Sequence, residues 1–222
     1  MFKQIFNLFK ADSLYEQALN QCFEMLDTDL LMFNESIKSL RESDTAEIPI
    51  DIFEMDKKIN QFERDVRRKV MTHLAVSGNE DLGSGLILIS VVVDIERIGD
   101  YTKNIYELAI NHPKKLEGFA FEEKLQEIEK NTRNLFNSTI DTFKDQNIEL
   151  ARKIMKDYKK EISKQCDEIT NTIISSKVDI DADTAAAIAL YARYLKRISA
   201  HSRNLISSIV NPFERIGYPE EK

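Results

Sequence analysis

The sequence predicts an all-α fold built as two tandem three-helix bundles, and three observations carry that expectation. Pro49, Gly78, Pro113, Gly118, Pro212 and Gly217 stand between periodic segments, where chain breakers belong. The long intervals between them repeat apolar residues at helical spacing. These intervals come as three segments and then three more of similar length and order, which reads as an internal duplication.

The first segment is predicted to run from about Ser13 to Arg41. Ser13 and Glu16 have capping-box spacing, and Leu14, Ala18, Met25, Met32 and Leu40 form its apolar stripe. The second runs from about Asp51 to Ala75, with Asp51 and Glu54 at its start and Ile52, Ile59, Phe62, Val66 and Val70 inward. The third follows Asn79 and continues to Asn111. Within it LILISVVVDI is rich in β-branched residues and by itself reads as a buried strand. No other segment offers a partner strand, and the polar residues that follow keep a helical spacing, so a helix packed on several sides is the reading adopted. Segments 119–145 and 148–176 follow, separated by a break at Asp145, Gln146 and Asn147. A sixth runs from Asp181 to about Val210. The implied organisation is an N-terminal amphipathic stretch at 1–12, a first bundle at 13–112, a second at 119–211 and a tail at 212–222.

The duplication is most visible between the third and sixth segments. DIERIGDYTKNI at 94–105 lies over YLKRISAHSRNL at 194–205, an offset of 100 residues that pairs Arg97 with Arg197, Ile98 with Ile198 and Asn104 with Asn204. The retained Arg and Asn residues have a structural explanation, pairing with neighbouring acids or backbone. A direct functional role is the alternative.

Composition narrows the function. With 42% hydrophobic and 31% charged residues the chain is globular with a heavily charged surface. A net charge of −7 repels phosphate backbones and argues against nucleic-acid binding. Cys22 and Cys166 lack CxxC spacing, which fits a reducing cytoplasm. The start MFKQIFNLFKAD is not expected to be a signal peptide, since Lys3 and Lys10 interrupt it. Its Phe2, Ile5, Phe6 and Phe9 line one helical face, suited to docking on the core or to a membrane surface or transporter.

One constellation stands out for chemistry. Glu96 and Asp100 are four residues apart, hence about 40° apart on one helical face. Ile89, Val92 and Val93 project over the same side, and carboxylates beside apolar surface need compensation. A bound cation would supply it, with oxygen ligands suiting magnesium, manganese, iron or calcium better than structural zinc. The second segment offers Asp56, Asn60 and then Glu63 as further ligands. In the second half Asp157 and Glu161 repeat the spacing of Asp56 and Asn60 and are weaker metal candidates. There Lys196 and Ala200 replace the two acids, so no metal is expected, and Lys196 is expected to pair with Asp157 or Glu161.

Glu96-Arg97-Ile98-Gly99-Asp100 followed by Asn104, within a duplicated six-segment plan, resembles the PhoU family of phosphate-uptake regulators over nearly the whole chain. The resemblance implies a pair of three-helix bundles and a divalent or trivalent metal held by such motifs, iron, manganese, magnesium or zinc. It implies a non-catalytic, negatively acting regulator in the cytoplasm, at the inner face of the membrane. Its partners would be a phosphate transporter, either an ABC-type ATPase subunit or a low-affinity permease, and a sensor histidine kinase. A homodimer is expected.

Two rival readings compete on the residues. A di-iron oxidase needs Glu-x-x-His pairs, but Val70, Ala109 and Ile198 stand three residues before His73, His112 and His201. No Gly-rich phosphate loop, GxSxG or suggestive Cys–His spacing is present, so no catalytic residue is assigned. The other rival is a metal-free helical adaptor unrelated to phosphate.

Overall fold

The computed structural model describes residues 13–112, 114–157 and 161–220, and the amphipathic stretch at 1–12 lies outside them. The helices are α1 (Leu14–Glu42), α2 (Ile52–Ser77), α3 (Leu82–Asn111), α4 (Glu122–Asp145), α5 (Ile148–Asp157), α6 (Glu161–Ile174) and α7 (Ala182–Val210), with short 3-10 turns at Gly78–Asp81, Phe119–Phe121 and Phe213–Arg215. Among the described residues there is no strand. The predicted segment 148–176 is described as two helices, α5 and α6, on either side of 158–160, which fall outside the described residues.

Local chemistry sets the ends as the sequence implied. The Ser13 side chain accepts from the Glu16 amide at 3.1 Å and starts α1. Asp51 does the same for α2, accepting from the Glu54 amide at 3.0 Å. At the 145–147 break Gln146 takes a left-handed conformation, φ 49°, and its side-chain amide donates to the Phe143 carbonyl at 2.6 Å. Asn147 then caps α5 by accepting from the Leu150 amide at 3.0 Å.

Helices α1, α2 and α3 pack on one another, and α4, α5 and α6 pack around α7. These are two three-helix bundles, with α5 and α6 together filling one helix position of the second. They join chiefly where α3 lies on α7. That explains the strand-like run: α3 has α1 and α2 on one side and α7 on the other, so Ile87, Leu88, Val91, Val92, Ile95 and Ile98 are all buried.

Polar contacts fix α3 and α7 antiparallel. His201 Nδ1 lies 2.7 Å from Asp94 Oδ1, and Asn204 donates to the same oxygen at 2.9 Å. Arg197 Nε donates to the Tyr101 hydroxyl at 3.2 Å, and one of its terminal nitrogens sits 3.0 Å from His201 Nε2. A guanidinium only donates, so Nε2 accepts and the proton of a neutral His201 is on Nδ1, directed at Asp94.

A second seam joins α1 to α4. Arg41, with a side chain only 8% exposed, holds Glu129 at 2.7 Å and Glu122 at 2.5 Å and also donates to the Leu116 carbonyl. Arg133 donates to Asn34, and Lys144 meets Asp27 at 2.5 Å. Between these, Phe33 and Phe136 meet edge to face at 5.9 Å, both fully buried. Truncating Phe136→Ala opens a cavity at this seam and should destabilise the protein by about 3–5 kcal/mol, read as a fall in the urea midpoint. An unchanged midpoint would show that the seam does not bear on stability.

Candidate metal centre

The carboxylates singled out in the sequence are gathered by the first bundle, together with one that the sequence reading passed over. Asp56 and Asn60 lie on α2 and Glu96 and Asp100 on α3. Asp29 comes from α1, between Met25 and Met32 on that helix's buried face. It is completely buried, and neither carboxylate oxygen has a hydrogen-bond partner. Burial drives its pKa well above the usual carboxylate range, and the charges of Asp56, Glu96 and Asp100 push it the same way.

Gly99 makes this approach possible. A Cβ at that position would stand 2.7 Å from Asp29 Oδ1 and 3.2 Å from Ile59 Cδ1, so any larger residue would have to push these two side chains aside. The Gly99 that interrupts the ERIGD stretch is therefore part of the site's geometry.

Two cations border the cluster. Lys103 Nζ lies 2.8 Å from Asp56 Oδ2 and 3.2 Å from Asp100 Oδ1, bridging α2 and α3. Burial works against its charge, but the bonds to Asp56 and Asp100 outweigh that and raise its pKa. Arg97, half exposed, binds Asp100 Oδ2 at 2.8 Å and approaches Glu96 at 3.5 Å. Asn60 turns its amide nitrogen to the Asp56 carbonyl at 3.0 Å and to Asp56 Oδ2 at 3.3 Å. Glu63 pairs with Arg67 at 2.8 Å. The Glu96 carboxyl is pushed up to about 7, first by burial and then by Asp100, with Arg97 opposing and Glu63 and Asp56 adding.

Among the described residues no three Asp, Glu, His or Cys side chains converge closely enough to hold a metal ion as they stand. The donors are all hard oxygens, and the fully buried, unpartnered Asp29 is the kind of group a cation would satisfy. The residues therefore fit a hard cation in chemistry, while their present arrangement is closed around the Lys103 ammonium.

The second bundle lacks each feature. Opposite Ser199, the counterpart of Gly99, stands Thr132 on α4, and the two hydroxyls share a hydrogen bond of 3.1 Å in full burial. A neutral pair thus occupies the place of Asp29 and Gly99. Lys196 binds Asp167 on α6 at 2.6 and 2.7 Å, which corrects the expected pairing with Asp157 or Glu161. The residue opposite position 196 is set by how α6 lies on α7, and Asp167 stands nearly two turns beyond Glu161. Asp157 and Glu161 instead border a cavity of about 480 Å³ with Asn131, Asn134, Ser138 and Lys153. Of the retained residues, Arg97 serves the acidic cluster, whereas Arg197 and Asn204 serve the α3–α7 seam. Asn104 is half-buried on α3.

Asp29 left one signal in the sequence: an acid on an otherwise apolar stripe, four residues after Met25 and three before Met32. Lys103 left none, since a lysine one turn after an aspartate is an ordinary surface pair.

The raised Glu96 pKa has a consequence for stability. Between its unfolded value of 4.5 and about 7 the folded chain binds the proton more tightly, so stability falls as pH rises through that window. Chelator-treated protein should melt progressively lower from pH 4.5 to 7, and Glu96→Gln should flatten that slope. Parallel slopes in the two proteins would refute the assignment.

Comparison with known proteins gives the family. The PhoU domain model matches residues 10–109 and again 125–209. A phosphate-specific transport system accessory protein, PhoU homolog 1 of Thermotoga maritima, is 27% identical over 94% of this chain and 87% of its own length. A Pseudomonas putida PhoU homolog of the same description is 24% identical over 80% of this chain and 70% of its own. The crystal structure of PhoU from Pseudomonas aeruginosa superposes with a TM-score of 0.78 at 21% identity, covering 89% of this chain and 95% of that one. The PhoU phosphate transport regulatory protein from Streptococcus pneumoniae gives 0.75 at 18% identity, covering 88% and 93%. With both halves matched by the same domain model and the two-bundle fold shared, this chain belongs to the PhoU family.

Proposed function

We propose that this protein is a non-catalytic accessory regulator of phosphate uptake, acting by contact with a phosphate transport system. The observation that carries the reading is the double match to the PhoU domain, supported by relatives described as accessory proteins of phosphate-specific transport. The finer reading is negative regulation of uptake and of phosphate-starvation signalling. Its partners are an ABC-type ATPase subunit or a low-affinity permease, together with a sensor histidine kinase. The working form is a homodimer in the cytoplasm, at the inner face of the membrane. Among the described residues no helix is long and apolar enough to cross a membrane. The functional units are the bundles at 13–112 and 119–211.

In this reading the first bundle holds a hard cation through Glu96, Asp100 and Asp56, with Asn60 beside them, and the buried Asp29 adds a carboxylate to the same place. Such an ion would neutralise carboxylates that the two neighbouring cations only partly balance. The second bundle, with Lys196, Ala200 and the Thr132–Ser199 pair, holds none. A metal-free helical adaptor is the competing reading; the ion pairs of Lys103 with Asp56 and Asp100 favour it, and the unpartnered Asp29 weighs against it.

Deleting the gene in its native host should change phosphate uptake, or the expression of phosphate-starvation genes, at high or low phosphate. Uptake and expression unchanged in both media would end the regulator reading. Asp100→Ala should abolish bound metal at a stability cost of about 1 kcal/mol, whereas Asp157→Ala should leave metal content unaltered. Elemental analysis of the purified variants decides between them.

A further inference from the structure

The carboxylate cluster of the first bundle is balanced unevenly. Lys103 spends its contacts on the outer acids, 2.8 Å from Asp56 and 3.2 Å from Asp100, and Arg97 holds Asp100 and Glu96 from the solvent side. Asp29, deepest of the set, receives nothing on either oxygen. Four carboxyl groups thus share two cations, and the one with no access to water, left without a partner, is the one whose burial favours its protonated form. The Lys103 ammonium carries a single charge, and its contacts go to Asp56 and Asp100 and not to Asp29.

We propose that Lys103 is a built-in competitor for the cation site: its ammonium closes Asp56 and Asp100 together in the metal-free protein, and a divalent cation must displace it. This residue then sets the metal affinity of the first bundle and separates an ammonium-closed state from a metal-held one. The proposal rests on the reading of this cluster as a metal centre.

Three features make the exchange physically sound. A divalent ion brings two charges where the ammonium brought one, which favours it wherever several carboxylates share one place. The Lys103 side chain is 20% exposed, so its head can swing to water along a flexible stem without being buried as a bare charge. Once Asp56 and Asp100 are freed, they and Glu96 can turn towards the same ion as Asp29. The second bundle supplies the contrast. Its Thr132–Ser199 hydrogen bond is neutral and satisfied, and Lys196 has Asp167 to itself, so nothing there calls for a second cation.

The test is a titration of the chelator-stripped full chain with Mn²⁺, followed by loss of the free-ion signal in electron paramagnetic resonance. Lys103→Met keeps the length of the stem and removes the charge, and should bind Mn²⁺ at least ten times more tightly than the unaltered protein. Lys103→Arg keeps a competing charge and should stay within threefold of the unaltered protein. Asp29→Asn in the Lys103→Met background should weaken binding at least tenfold, with circular dichroism confirming the fold. Equal Mn²⁺ affinity in the unaltered protein and Lys103→Met would overturn the competitor role while leaving the metal centre standing. No Mn²⁺ binding to either would overturn the metal centre and the proposal together. The regulator reading is judged separately, by the phosphate-uptake phenotype.

Discussion

The packing of α3 against α7 is the constraint on which the rest of the molecule depends. Each is the inner helix of its bundle, and their antiparallel contact makes two bundles into one body. Because α3 is enclosed by α1, α2 and α7, it can be apolar nearly all round, which is why its β-branched run is stable as a helix. The polar groups inside the seam are matched rather than left to chance. Asp94 accepts from His201 and Asn204, and Arg197 spans His201 and Tyr101. Removing one member of such a network leaves another buried and unsatisfied, so the seam also fixes the register of the two helices.

That fixed register turns a duplicated sequence into an asymmetric molecule. At one position a glycine lets α3 close on a buried aspartate from α1; at the matching position a serine meets a threonine from α4. The first arrangement leaves a buried carboxyl without a partner, and the second is a neutral, satisfied pair. The buried, unpartnered carboxyl is confined to one half, and the other half joins it through the seams at α3–α7 and α1–α4.

Much of the fold was legible in the sequence because it is encoded locally. Ser13 and Asp51 cap helices through amides only three residues away, and apolar stripes at helical spacing mark buried faces whatever they meet. The ERIGD stretch, its Asn104 and the offset between the halves were equally visible, and they led to the family. Asp29 was legible only in part: an acid on an apolar stripe signals a special position but not its partner. Lys196 was misassigned because residue spacing says nothing about how one helix lies along another, and Asp167 proved to be the acid opposite it.

The sequence by itself determined the helices, their order, the duplication and the loss of acids from the second half, since each of these is a property of residues near one another in the chain. Only the tertiary structure decided that Asp29 from α1 lies against Gly99 of α3, that Lys103 bridges Asp56 and Asp100, and that Thr132 and Ser199 fill the corresponding place in the second bundle. The reason is that charge balance in a buried site is set by distances between different helices, and those distances follow from how whole faces pack.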